Sequence, residues 1–451
     1  MGASTARAAR IVSIILGLAA VALGVATVGG AAWLLVAGAS TLRDTEEGRF
    51  LVGTALIPSG LLLLAIGGAA LWLAARAGPG RAARAVALPP WWLSAIVFGA
   101  LVAAGWALLR AGQWWLFYPV AALAAFAPAA ATGSLPLTRA APPAPRPSWR
   151  RILSAFAWGA LVTPVVAITI ECLLALGALA AVIAGIASGG PATTETLRRT
   201  IELLQGQTLT PAQSQALMRA LLETARQPAI LLWLGFVVVF AGPVTEELCK
   251  FLAVVLFGRA RAGGRARRDS VLTIVLIGLA SGLGFATLEN IFYAAQAGPS
   301  GWAALTLFRG ATPLIHGTAS ALFALGWARQ LRNPRGWALA GGAAGAMALH
   351  AAWNLCAVGL VAAGALESSG ADAARGLAAV ALIVVFGLLA LLALLRVALL
   401  VWLGRTLGRE ARAEDEAPPP AATLVEDGRS PGSPGPAREP IVQSPVPVQG
   451  D

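Results

Sequence analysis

Long apolar runs separated by short, arginine-rich breaks dominate the chain. The runs stay continuously apolar over about 20 residues, the length an α-helix needs to cross the hydrocarbon core of a bilayer. Ten helices are predicted, over residues 11–38, 51–75, 90–109, 114–131, 152–187, 229–257, 271–296, 305–328, 337–363 and 377–403. Transmembrane strands would alternate apolar and polar positions, so a β-barrel is excluded. The expected fold is all-α, a polytopic membrane helical bundle. The fifth and sixth runs are longer than spanning requires, and Gly242–Pro243 is expected to kink the sixth.

Composition extends this to the whole chain: 58% of the residues are hydrophobic and only 12% charged. The net charge of +12 comes from arginines at the run ends. Arg76, Arg81 and Arg84 share one break, and Arg139, Arg146, Arg150 and Arg151 another. Arg259, Arg261, Arg265, Arg267 and Arg268 fill a third, and Arg329, Arg332 and Arg335 a fourth. These breaks alternate along the chain, so all four fall on one side, which the positive-inside rule makes cytoplasmic. Arg7 and Arg10, and Arg405, Arg409 and Arg412, place both termini there too. Charge spread along loop edges reads as membrane topology, and no nucleic-acid partner is expected. Cys172, Cys249 and Cys356 show no pairing or zinc-thiolate spacing. The amino-terminal run exceeds a signal-peptide core and is expected to remain as the first helix.

The breaks divide the chain into an amino-terminal four-helix membrane unit (1–132), a Pro/Arg-rich cytoplasmic linker (133–151), a six-helix unit (152–404) and a disordered cytoplasmic tail (405–451). An external segment, 188–227, contains the capping pattern Thr210–Pro211–Ala212–Gln213, which predicts a short amphipathic helix. That helix either gates access to the bundle or simply rests on the interface.

Ionisable groups inside the apolar runs cost about 2.5–3.5 kcal/mol each, so their presence calls for a reason. The sixth run holds Glu246 and Glu247 with Lys250 four and three residues on, so either carboxylate can meet the ammonium on one helical face. A packing pair explains one glutamate and Lys250 and leaves the second glutamate over; a tunable carboxylate in a dry site is what a general base needs. The seventh run carries Phe285, Glu289 and Asn290, where Glu289 can bind a metal, orient a histidine or share a proton with Glu246, or simply make an interhelical hydrogen bond. The chain's 2 histidines are His316, one turn before Ser320, and His350, one turn before Asn354. Imidazole plus amide suits either oxyanion stabilisation or zinc ligation, and packing alone would have to account for both histidines. Glu171 is a weaker candidate for a supporting role, and Arg309 and Arg396 are expected to snorkel from helix ends.

The series Glu246–Glu247-x-x-Lys250, Phe285-x-x-x-Glu289–Asn290, His316-x-x-x-Ser320 and His350-x-x-Trp353–Asn354 resembles the PrsW family of intramembrane proteases. That family looks like a distant branch of the type II CAAX-processing and Abi proteases. The resemblance covers residues 229–363 and places a water-filled cavity among helices six to nine. It implies Glu246 as the base activating water, Glu247 and Lys250 orienting it, His316 and His350 positioning water or metal, and Asn354 stabilising the oxyanion. Glu289 stands where the CAAX relatives have a histidine. The implied metal set is Glu246, Glu289, His316 and His350 around Zn2+, and a metal-free glutamate mechanism is equally compatible. The implied substrate is a membrane-anchored protein such as an anti-sigma factor, and the implied location a bacterial cell membrane. The competing readings are a non-catalytic scaffold that keeps the architecture, and a proton-coupled transporter.

Overall fold

The computed structural model describes residues 3–38, 45–76, 88–139, 148–187, 232–233, 235–258, 270–367 and 372–416. The external segment with its expected amphipathic helix lies outside these residues.

Four helices form the amino-terminal part: α1 (Ala3–Ala37), α2 (Glu46–Arg76), α3 (Trp91–Arg110) and α4 (Trp114–Arg139). Then α5 (Trp149–Ala157) continues through a π-helical segment, Trp158–Val162, into α6 (Thr163–Ala187). A second π segment, Phe236–Ala241, leads into α7 (Gly242–Phe257). The remaining helices are α8 (Val271–Gln296), α9 (Gly298–Arg309), α10 (Thr312–Arg332), α11 (Ala338–Glu367) and α12 (Asp372–Glu416). Eight stretches among the described residues are long and apolar enough to span a membrane. The molecule is a polytopic helical membrane bundle.

Three expectations need correction. Residues 305–328 do not form one helix. Gly310 closes α9 by donating its N–H to Thr306 and Leu307, and Pro313 in the first turn of α10 cannot continue a helix from before it. The linker is shorter than expected, because α4 runs to Arg139 despite three internal prolines and α5 starts at Trp149. The tail also starts later. Leu403, Leu407 and Ala411 continue one buried stripe along α12, and Arg329 pairs with Glu410 at 2.7 Å, so the helix persists to Glu416.

Helix α8 is the hub. Its start is fixed by Ser270, whose hydroxyl accepts from the Thr273 N–H at 3.2 Å. Nearly every side chain along it is buried, against α5, α7, α10 and α12 in the main core. Small residues permit this. A Cβ on Gly282 would lie 2.2 Å from the His316 carbonyl oxygen, and one on Gly159 would lie 1.9 Å from that of Ser281. The α8–α10 approach thus brings the two helices close where both carry site residues.

After α8 the chain reverses at Gly298, whose φ of 67° suits a residue without Cβ. Helix α9 then folds back onto the amino-terminal part. Its Trp302 is fully buried, 4.9 Å from Phe117 and edge-on to it. A second core, from α1 to α4, therefore incorporates α8 and α9 side chains.

Candidate active site

The site begins with an irregularity in the backbone. In the π segment each N–H reaches back five residues, as Gly242 does to Val237. The next residue, Pro243, has no N–H to offer Val238. Asn354, on α11, fills the gap: its Nδ2 donates to the Val238 carbonyl at 2.9 Å. The amide that the resemblance assigns to an oxyanion is thus engaged in pinning the entry to α7, one turn before Glu246. Asn354→Ala should cost about 1–3 kcal/mol by orphaning that carbonyl. Adding Pro243→Ala restores an N–H and should recover part of the loss in thermal melting of the solubilised protein. A double variant no more stable than Asn354→Ala would contradict this account.

One turn on, Lys250 is fully buried and tethers three groups. Its Nζ donates to Glu246 Oε2 at 2.9 Å, Glu247 Oε1 at 2.8 Å and His316 Nδ1 at 2.8 Å. It also lies 4.0 Å from the Phe285 ring centre, a cation–π contact from α8. The i+3 and i+4 spacing puts both carboxylates within reach of one ammonium.

These partners fix both imidazoles. An ammonium can only donate, so His316 Nδ1 accepts and its proton sits on Nε2, which donates to Glu289 Oε2 at 2.8 Å. Glu289 is held in turn by Arg309 Nη2 at 2.9 Å, while Arg309 Nε donates to Asn290 Oδ1 at 3.1 Å. On the opposite side His350 Nδ1 donates to Glu247 Oε1 at 3.0 Å, and the Ser320 hydroxyl to Glu247 Oε2 at 3.0 Å. His350 Nε2 points the other way, 3.8 Å from Glu246 Oε2.

The two adjacent glutamates therefore differ in kind. Glu247 is fully buried and receives three hydrogen bonds, from Lys250, His350 and Ser320. Glu246 receives one, from Lys250, and its side chain stays 14% exposed. Its Oε2 lies 3.7 Å from His316 Nδ1 and 3.8 Å from His350 Nε2. Glu247 is held from three sides, whereas Glu246 is held by one donor and stays partly open.

The donor set also fits a divalent metal. One ligand atom each from Glu246, Glu247, His316 and His350 lies within 4.8 Å of all the others. His316 donates its outer N–H to Glu289, the support that metal-binding histidines ordinarily have, whereas His350 donates to Glu247, itself one of the four. Glu289, expected among the ligands, stands behind His316 as that support. Lys250 now supplies the positive charge between Glu246 and His316.

A model of the PrsW family intramembrane metalloproteases matches residues 147–394. The chain belongs to this family. Comparison with curated proteins and with solved structures gives no match. The PrsW match begins next to Trp149, runs through α5 to α11 into α12, and takes in Glu246, Glu247, Lys250, Glu289, His316, His350 and Asn354; α1 to α4 precede it.

The PrsW site has supports that sequence reasoning passed over. Ser281 donates to the Lys250 carbonyl at 3.1 Å, and Trp158 to that of Cys249 at 3.0 Å, both bracing α7. A serine and a tryptophan in apolar runs carry no signal of such roles. Arg309 and Arg396 were expected to snorkel, and neither does. Arg309 is spent on Glu289 and Asn290. Arg396, fully buried on α12, donates to the carbonyl of Leu349, next to His350, and faces the Trp353 ring at 5.6 Å. Packing onto α11 keeps it inside. Glu171 Oε1 is buried without a hydrogen-bond partner, so this atom supports no site residue directly.

Proposed function

We propose that this PrsW protease hydrolyses peptide bonds in membrane-anchored proteins, with Glu246 activating the attacking water. The observation that carries this reading is the contrast between the adjacent carboxylates: three hydrogen-bond donors hold Glu247 and one holds Glu246, while Glu289 is held by a hydrogen bond with His316 and an ion pair with Arg309.

A water beside Glu246 meets two acceptors, its carboxylate and the Nε2 of His350, 3.8 Å apart. Donating to both turns the water's lone pair outward, toward a substrate carbonyl. Glu246 takes one proton as the oxygen–carbon bond forms, then passes it to the departing amine as the carbon–nitrogen bond breaks. Lys250 keeps Glu246 in place and offsets its charge before and after. Glu247 and Glu289 hold the imidazoles through the cycle. When bound, a divalent ion such as Zn2+ would be held by Glu246, His350 and, in place of the Lys250 ammonium, His316, and would polarise the scissile carbonyl. Metal analysis of purified wild type and His350→Ala separates the two forms. Near-stoichiometric metal lost in the variant supports the metal form, and a metal-free active enzyme supports the glutamate form.

The choice of substrate rests on the family. A membrane-anchored anti-sigma factor in a bacterial cell membrane, with both termini of the protease cytoplasmic, is the proposal. Mapping new peptide termini in membranes that contain wild type or Glu246→Gln tests it. Termini in or beside transmembrane segments, found with wild type alone, support the reading. Identical profiles, with an expressed candidate substrate left whole, count against it.

A further inference from the structure

Helix α12 turns one stripe toward the bundle. Leu389, Leu400, Leu403 and Leu407 are buried along it, while Leu394, Leu395 and Trp402 stay exposed. Arg396 lies on the buried stripe, one turn before Leu400, and is itself fully buried. It stands just past the residues that the family model matches. A leucine there would continue the stripe at no cost, whereas a guanidinium inside an apolar bundle is expensive.

The surroundings of Arg396 do not offset that expense. Among the described residues no carboxylate pairs with it. Its Nη2 donates to the Leu349 carbonyl, the guanidinium faces the Trp353 ring at 5.6 Å, and Nε and Nη1 are buried without a hydrogen-bond partner. The Leu349 carbonyl does not depend on this donor, because inside α11 the Trp353 N–H lies one turn on. Exchanging buried charge for a well-packed apolar side chain is often neutral or stabilising. Stability therefore does not explain Arg396.

What Arg396 grips is the peptide bond that joins Leu349 to His350. Helix α11 has few other constraints at this level. From Ala338 to Leu360 only Ala346, His350 and Trp353 are buried, so apolar packing fixes its rotation weakly. Asn354 fastens the same turn to the entry of α7 through the Val238 carbonyl. A side-chain tip stands about 5–6 Å from its helix axis, so a rotation of about 10° carries the imidazole about 1 Å. A displacement of that size can cost about 100-fold in rate.

We infer that Arg396 is a positioning residue for His350, locking the rotation of α11 so that Nδ1 meets Glu247 and Nε2 faces Glu246. The inference rests on the role proposed for His350 in hydrolysis. The planar guanidinium can donate to a backbone carbonyl and lie against an indole at the same time, which an ammonium does less well.

The test reads His350 directly. The chain has 2 histidines, so the full-length protein in phospholipid vesicles, made with nitrogen-labelled histidine, gives two imidazole signal pairs in solid-state NMR. The pairs differ by tautomer, His350 carrying its proton on Nδ1 and His316 on Nε2. Arg396→Met should broaden or split the His350 pair, leave the His316 pair as it is, and melt no lower than wild type. On the substrate found by terminus mapping, kcat should fall about 10–100-fold with KM within about twofold. Arg396→Lys keeps a donor and should fall between wild type and Arg396→Met. An unchanged His350 pair in Arg396→Met overturns the inference. Melting well below wild type overturns it too, because Arg396 would then serve the fold. A raised KM with kcat kept overturns it in favour of substrate binding. If wild type cleaves nothing, the proposed function fails, and the histidine spectrum and melting still decide whether Arg396 positions His350.

Discussion

Glu246→Gln lowers cleavage of a reconstituted transmembrane substrate by about 10²–10⁴-fold, the contribution of a positioned general base. Glutamine matches glutamate in shape, and its amide oxygen can still accept from Lys250 as Glu246 Oε2 does at 2.9 Å. The helix keeps its packing, so melting should shift little. What goes is the ability to take a proton from water. The comparison that sharpens this is Glu247→Gln. There the side chain is fully buried under three donors, and an amide cannot accept from all of them in the same way. That variant should lose stability together with activity, whereas Glu246→Gln should lose activity alone. Cleavage within tenfold of wild type for Glu246→Gln would move the base elsewhere.

Lys250→Met gives the second large effect, this time on the fold. The ammonium is fully buried and holds two carboxylates and an imidazole at 2.8–2.9 Å. Removing one partner of a buried ionic group leaves uncompensated charge, at about 3–5 kcal/mol. Here two carboxylates are left on adjacent residues of one helix, so the loss should sit at the upper part of that range. Adding Glu247→Gln removes one of the stranded charges and should return part of the stability without returning activity. Equal melting of Lys250→Met and wild type would mean that the cluster is held by packing alone. A double variant less stable than Lys250→Met would mean that Glu247 owes little to its ammonium.

Both predictions rest on residues that were legible as unusual, because charge inside an apolar run stands out against its surroundings. The spacing of Lys250 to the two glutamates, of His316 to Ser320 and of His350 to Asn354 followed from helical periodicity. Their division of labour did not. Glu246 and Glu247 are neighbours of the same type, and nothing local separates them. What separates them is that Glu247 accepts hydrogen bonds from His350 and Ser320 on other helices and Glu246 does not. Asn354 shows the same limit. Its position one turn from His350 suggested shared chemistry, but its partner is a carbonyl 116 residues away that a proline leaves unbonded.

By itself the sequence determined the class, the approximate spans and the four helices whose ionisable side chains meet in one cluster. Hydrophobic runs of membrane-crossing length and the cost of charge within them act locally along the chain. The tertiary structure alone decided which carboxylate stays partly open, which nitrogen of each histidine faces inward, and that Arg309 and Arg396 turn inward to partners. It also decided that the run over residues 305–328 breaks into α9 and α10, and that α12 persists to Glu416. These outcomes depend on which faces of separate helices meet, and that is set by close approaches such as Gly282 against the His316 backbone rather than by any periodicity in the chain.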